Sequence, residues 1–273
     1  MPASDSVQII RFAAGKPPES CKDEVAGEEP LEIRVEGKSV AVIMRTPGHD
    51  RELAAGFLFS EEIIRTARDI FDITACVPAG KLSKGNVIDV ALRHPGAFDL
   101  SKLSRHVFTS SSCGMCSQSS IKAVVRRRKP LVSKLKIDIE MVRQLPARLA
   151  ASQEGFKRTG GLHACALFSA DGALSALRED VGRHNALDKL IGSALLENRL
   201  PLTDYILLLS GRSSFEMIQK AYTARIAAIA AIGAPSSLAV ALAQKTGQTL
   251  IGFLRADSMN VYTGAERISG AAF

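Results

Sequence analysis

At 273 residues the chain is long enough for one large domain or two modest ones, each able to bury a core. A hydrophobic fraction of 46% with 23% charged residues excludes a chain that is disordered throughout. Lys+Arg number 35 and Asp+Glu 28, so the net charge is +7 and an anionic partner is expected; 5% aromatics and no Trp argue against a base-stacking platform for nucleic acid.

Residues 1–29 are polar, with Pro17, Pro18 and acids at Glu24, Glu28 and Glu29, and read as a loose lead-in without a stretch of signal-peptide length. Leu31, Ile33 and Val35, then Val40, Val42 and Met44, alternate with polar residues around Glu36-Gly37, which predicts a β-hairpin. Leu53, Phe57 and Ile64 predict a helix over 50–64, and 87–92 a further strand. Together, 30–109 form an expected small α+β domain.

From 100 to 137 there are nine basic residues and no Asp or Glu, so 110–136 is expected to be a basic linker. The remainder, 137–273, alternates. Strands are predicted over 163–168, 173–177, 205–209, 249–254 and 259–262, with a turn at Asp171-Gly172. Helices are predicted over 183–198, 215–232 and 237–245. This order predicts a layered α/β domain with crossover connections. The uncharged run between Arg225 and Lys245 is broken by Gly233, Pro235, Ser236 and Ser237, so it reads as two core helices and no membrane span.

Five cysteines, Cys21, Cys76, Cys113, Cys116 and Cys165, make an odd and sparse set, which points to a reducing cytoplasm. Cys113-Gly114-Met115-Cys116 is the sharpest local feature. Its flanks are basic, a field that favours thiolate, and a thiolate attacks persulfide or disulfide sulfur. Half a zinc site, a redox pair and two incidental cysteines are competing readings of the spacing.

Ser210-Gly211-Arg212-Ser213-Ser214 joins a buried strand to a helix, where an α/β sheet receives ligands; the bland reading is an N-cap serine. The run 126–129 is basic and reads as a solvated helix end, nucleic-acid contact, or a dock for an acidic protein. His163-Ala164-Cys165 lacks the Glu a zinc deaminase needs, and a lone His on an apolar strand is normally a core residue. The stretch 178–185 carries more charge than helix capping requires and suggests a ligand-facing loop.

Six stretches in order, RTPGHDRELAAGFLFSEEII (45–64), SSCGMCSQSSI (111–121), TGGLHACALF (159–168), REDVGRHNALDKLIG (178–192), LSGRSSFEMIQKA (209–221) and LIGFLRADSMNVYTGAERI (250–268), resemble the FdhD family of formate dehydrogenase accessory sulfurtransferases. The resemblance implies a cytidine-deaminase-like α/β C-terminal domain with a smaller α+β N-terminal domain and no deaminase chemistry. It implies a homodimeric sulfurtransferase that takes persulfide sulfur from an IscS-like cysteine desulfurase. The sulfur would go to a molybdenum or tungsten bis(molybdopterin guanine dinucleotide), bound as cargo, for formate dehydrogenase. Cys113 would then carry the persulfide with Cys116 as helper, and Phe253, Leu254, Arg255, Ala256, Asp257 and Ser258 would bind the cofactor. Beside the resemblance, the charge of Arg212 and Arg255 makes both candidates for its phosphates. No permanently bound metal, membrane or nucleic acid is expected; the alternative is a cofactor-binding chaperone without sulfur chemistry.

Overall fold

The computed structural model describes residues 3–76, 86–97 and 129–270. The lead-in is not loose. Ser4–Arg11 (β1) and Glu19–Ala26 (β2) pair antiparallel, Ser4 opposite Ala26 and Arg11 opposite Glu19. Most of these side chains are exposed, so no half-buried alternation marks the strands; backbone pairing and a seat against Gly161 at Ala26 hold them.

The predicted hairpin is Glu29–Val35 (β3) and Lys38–Arg45 (β4). Glu36 and Gly37 turn it with φ of 52° and 72°, the paired positive values of a type I′ turn. Leu31, Ile33 and Val35 are all buried. Ile70–Cys76 (β5) and Val87–Leu92 (β6) complete a sheet of order β4-β3-β6-β5. Between β4 and β5 runs Asp50–Ser60 (α1), buried from Leu53 onward.

Ile137–Asp138 (β7) leads into Ile139–Ser152 (α2), whose first turn is capped by the Asp138 carboxylate accepting from Met141 N–H at 2.9 Å. After Glu154–Thr159 (α3) come His163–Ser169 (β8), Leu174–Asp180 (β9), Arg183–Leu196 (α4), Tyr205–Leu209 (β10) and Phe215–Thr223 (α5). Ala228–Ala231 (β11), Ser237–Thr246 (α6), Thr249–Gly252 (β12), Asn260–Thr263 (β13) and Ile268–Ser269 (β14) finish the chain, β14 pairing with β7. The large sheet has the order β13-β12-β11-β10-β8-β9, with β10, β11 and β12 parallel. This is the expected layered α/β fold. Leu207 and Leu209 enter the core shared with α1 and α4–α6, while Ile206 and Leu208 enter a second core with Val142, Leu145 and Leu149 of α2.

The helix expected over 215–232 is a helix and a strand. Arg225 takes a left-handed φ of 62°, and its N–H and that of Ile226 close back on the carbonyls of Tyr222 and Ala221. That is a Schellman ending with Arg where Gly is usual. The Ala- and Ile-rich run beyond it is fully buried as β11. Among the described residues no helix is long and apolar enough to cross a membrane.

The two sheets are locked together at α1 and α4. A Cβ on Gly56 would stand 1.8 Å from the Asp188 carbonyl oxygen, and one on Gly192 1.8 Å from that of Glu52. The helix backbones therefore touch. Polar bonds continue the seam. Lys189 Nζ lies 2.7 Å from Asp180 Oδ2 and donates to Thr46 O at 2.8 Å, and Thr46 N–H donates to Asp180. Lys220 pairs with buried Asp188 at 3.0 Å, whose other donor is Ser60 Oγ. Arg178 grips Glu52 with both Nε and Nη2.

Burial pushes the Glu52 carboxyl up, but bonds from Arg178 and His49 more than offset it and leave it at about 2, against an ordinary 4.5. A depressed folded-state value means the ion pair contributes fully above pH 4.5 and is lost as pH falls towards 2. Urea unfolding of wild type should therefore weaken more steeply over that window than unfolding of Glu52→Gln. Parallel pH profiles would show that the pair contributes nothing.

Candidate ligand site at the strand ends

The carboxyl ends of parallel strands β10, β11 and β12 open onto one edge, and each is followed by a turn that approaches its neighbour backbone to backbone. Gly233 N–H donates to Gly211 O, Phe253 N–H to Gly233 O, Leu254 N–H to Ala231 O, and Ser213 N–H to Ala234 O. Glycines are needed because a Cβ on Gly233 would meet the Gly211 carbonyl at 2.8 Å. Helices α4, α5 and α6 all start at this edge, so their N-terminal dipole ends converge on it.

Ser214 occupies the N-cap of α5 without a side-chain cap bond. Among the described residues, buried Ser213 Oγ and Arg183 Nε have no hydrogen-bond partner. The serines of this turn are thus not accounted for by capping, and unspent donors remain for a ligand. Arg212 is exposed beside them.

His163 begins β8 at this same edge because β8 runs antiparallel to β10. Burial, then Arg183 and Arg212, hold its imidazole below the usual value. His184 is lowered to about 4 by burial, Arg183 and Lys220. The shifts favour the neutral ring in both, and the positive charge beside them is that of Arg183 and Arg212.

The stretch proposed for the cofactor forms the β12–β13 connection. Phe253 is 43% exposed at a left-handed φ of 51°, while Leu254 is buried. Arg255 Nη1 donates to Ile232 O at 2.7 Å and Leu254 O at 2.8 Å, so its guanidinium ties this loop to the β11 turn. Ala256, Asp257 and Ser258 are exposed, Ser258 Oγ donating to Asp257. The structure thus gathers Arg212 and 253–258 at one sheet edge. Cys113 and Cys116 lie outside the described residues. Of the other thiols, Cys165 is buried, and burial followed by Asp188 and Asp180 drives it far above the usual range, which leaves it inert.

Sequence reasoning missed His163 at the edge; the antiparallel return of β8 against the strand that leads into the Ser210–Ser214 turn was the available signal. It also over-read 178–185. Arg178, Asp180 and Asn185 are bound into the seam, Asn185 through Met44 O and Asp180, and Arg183 and His184 remain at the edge.

A layered α/β sheet with glycine-tightened turns, helix N-termini and guanidinium groups at its strand ends has the chemistry to accept an anion. Residues 26–269 match the FdhD/NarQ family model, and the chain belongs to that family. It is 51% identical over 254 residues to the Sulfur carrier protein FdhD of Streptomyces coelicolor, covering 90% of this chain and 89% of that one. It is 49% identical over 245 residues to the protein of the same name from Mycolicibacterium paratuberculosis, covering 88% and 90%. A crystal structure assigned as a formate dehydrogenase accessory protein from Desulfotalea psychrophila superposes with a TM-score of 0.75 at 26% identity, over 98% of this chain and 100% of that one.

Proposed function

We propose that the chain is a sulfur carrier that serves formate dehydrogenase. The observation that carries this reading is the Cys113-Gly114-Met115-Cys116 pair in a stretch without acids, in a chain about half identical to proteins named sulfur carriers. The Cys113 thiolate attacks the outer sulfur of a persulfide on a cytoplasmic cysteine desulfurase. The new S–S bond makes Cys113 the persulfide, and the desulfurase leaves as its thiolate. Cys116 stands ready as the helping thiol.

The cargo is the molybdenum or tungsten bis(molybdopterin guanine dinucleotide), held at the strand-end edge of a homodimeric carrier before it passes to formate dehydrogenase. What supports this placement is chemical fit. Arg212 and Arg183, with the free Ser213 hydroxyl and the helix starts, suit pyrophosphate oxygens. Exposed Phe253 offers a flat apolar surface to a guanine. Arg212→Ala should weaken GDP binding by about 1.5–3 kcal/mol, the worth of a charged hydrogen bond, and unchanged affinity in a calorimetric titration would remove Arg212 from the site.

The function is tested by expressing Cys113→Ala in a strain lacking its own copy. Formate dehydrogenase activity should fall to the level of the empty strain. Full activity would mean a chaperone that binds cofactor without sulfur chemistry.

A further inference from the structure

A second site lies at the opposite end of the large sheet, where the connections ahead of β10 and β11 run. A groove of about 470 Å³ opens there between the end of α1 and the end of α4. Its floor includes buried Phe59, Leu195 and Ala224, and its rim carries Arg65, Arg68 and Arg225, with no Asp or Glu among the described residues of the lining. Arg65 and Arg68 are exposed, and among the described residues neither guanidinium meets a carboxylate. Three cations over an apolar floor, at a junction between two sheets, have the make-up of a recognition site for a ligand both apolar and anionic.

The groove also sits between the two attachments of the segment that holds Cys113. On one side Arg93, four residues before Ala97, donates its N–H to Asp69 O at 2.9 Å and its Nε to Arg68 O at 3.2 Å. On the other, the carbonyl of Lys129 accepts from Arg225 Nη1 and from Tyr222 Oη, each at 2.9 Å. Arg68 and Arg225 thus both line the groove and hold the chain next to residues 98–128.

We propose that this groove docks an acidic segment with a large apolar side chain, presented by the protein that loads sulfur onto Cys113. The proposal rests on the sulfur-carrier reading above and assigns the donor a face of its own, away from the edge that holds the cargo. Arginine-rich rims steer acidic partners and raise their association rate, so the complex should be salt-sensitive.

The test uses the full chain and the purified cysteine desulfurase of the same organism, with binding followed by interferometry. Arg65→Glu/Arg68→Glu should weaken the complex at least tenfold and flatten its dependence on salt. Ala67→Trp, which fills the groove without changing charge, should weaken it as well. GDP affinity and the thermal midpoint of the charge variant should match wild type. Wild-type affinity in both variants overturns the groove and leaves Cys113 chemistry standing. A wild-type chain that gains its persulfide in cells yet binds no desulfurase overturns the occupant. Failure of the sulfur-carrier reading shows separately, as full activity of Cys113→Ala.

Discussion

Gly192→Val should cost about 3 kcal/mol or more, and Gly56→Val a similar amount, because the α1–α4 seam has no room for a side chain. Each Cβ would lie 1.8 Å from a carbonyl oxygen of the facing helix, and backbone cannot yield as a flexible side chain does. The helices must separate, and Leu53, Leu58, Leu187 and Ile191, all fully buried beside the crossing, then lose close packing. A cost of about 3 kcal/mol corresponds to a midpoint lower by about 6–12 °C in a chain of this size. Gly96→Ala is the control: nothing lies within 4 Å of its added Cβ, and its stability should stay within about 0.5 kcal/mol of wild type. Urea unfolding of the three variants decides it. A Gly192→Val protein as stable as Gly96→Ala would show that the seam is loosely packed.

Lys189→Met should lose about 3–5 kcal/mol, the second large effect. Lys189 and Asp180 are almost completely buried, and the ammonium balances a carboxylate that also accepts from Thr46 N–H, Gly182 N–H and Asn185 Nδ2. Removing the cation leaves that carboxylate desolvated and unpaired. Asp180→Asn/Lys189→Met leaves no orphaned charge, so the double variant should be less damaged than the two single losses summed, with a coupling of at least about 1 kcal/mol. Additive losses in the double-mutant cycle would mean that Asp180 is satisfied by its neutral partners alone. The outcome bears on the proposed function, because β9, which ends at Asp180, leads directly into Arg183 and His184 at the strand-end edge.

Local chemistry made much of the fold readable. Tyr205–Leu209 is apolar throughout because both its faces meet a core, and Glu36-Gly37 turns a hairpin where alternation brackets it. The helix–strand break at Arg225 was hidden because a non-glycine residue takes the left-handed position and Ala serves buried strand and helix alike. Strand β5 escaped notice because Phe71, Asp72, Thr74 and Ala75 leave most of this edge strand exposed. The glycine contact at the seam has no local signature, since it exists only when residues 56 and 192 meet. At the strand-end edge, the Ser210–Ser214 turn was legible from its position after a buried strand. The lowered titration of His163 and His184 was not, because it arises from burial and from arginines brought in by other elements.

The most direct measurement is intact-mass analysis of wild type, Cys113→Ala and Cys116→Ala after incubation with a cysteine desulfurase and cysteine. The account predicts a gain of one sulfur atom on wild type and on Cys116→Ala, removed by a reductant and absent from Cys113→Ala. A persulfide that persists in Cys113→Ala, or forms on none of the three, would contradict it.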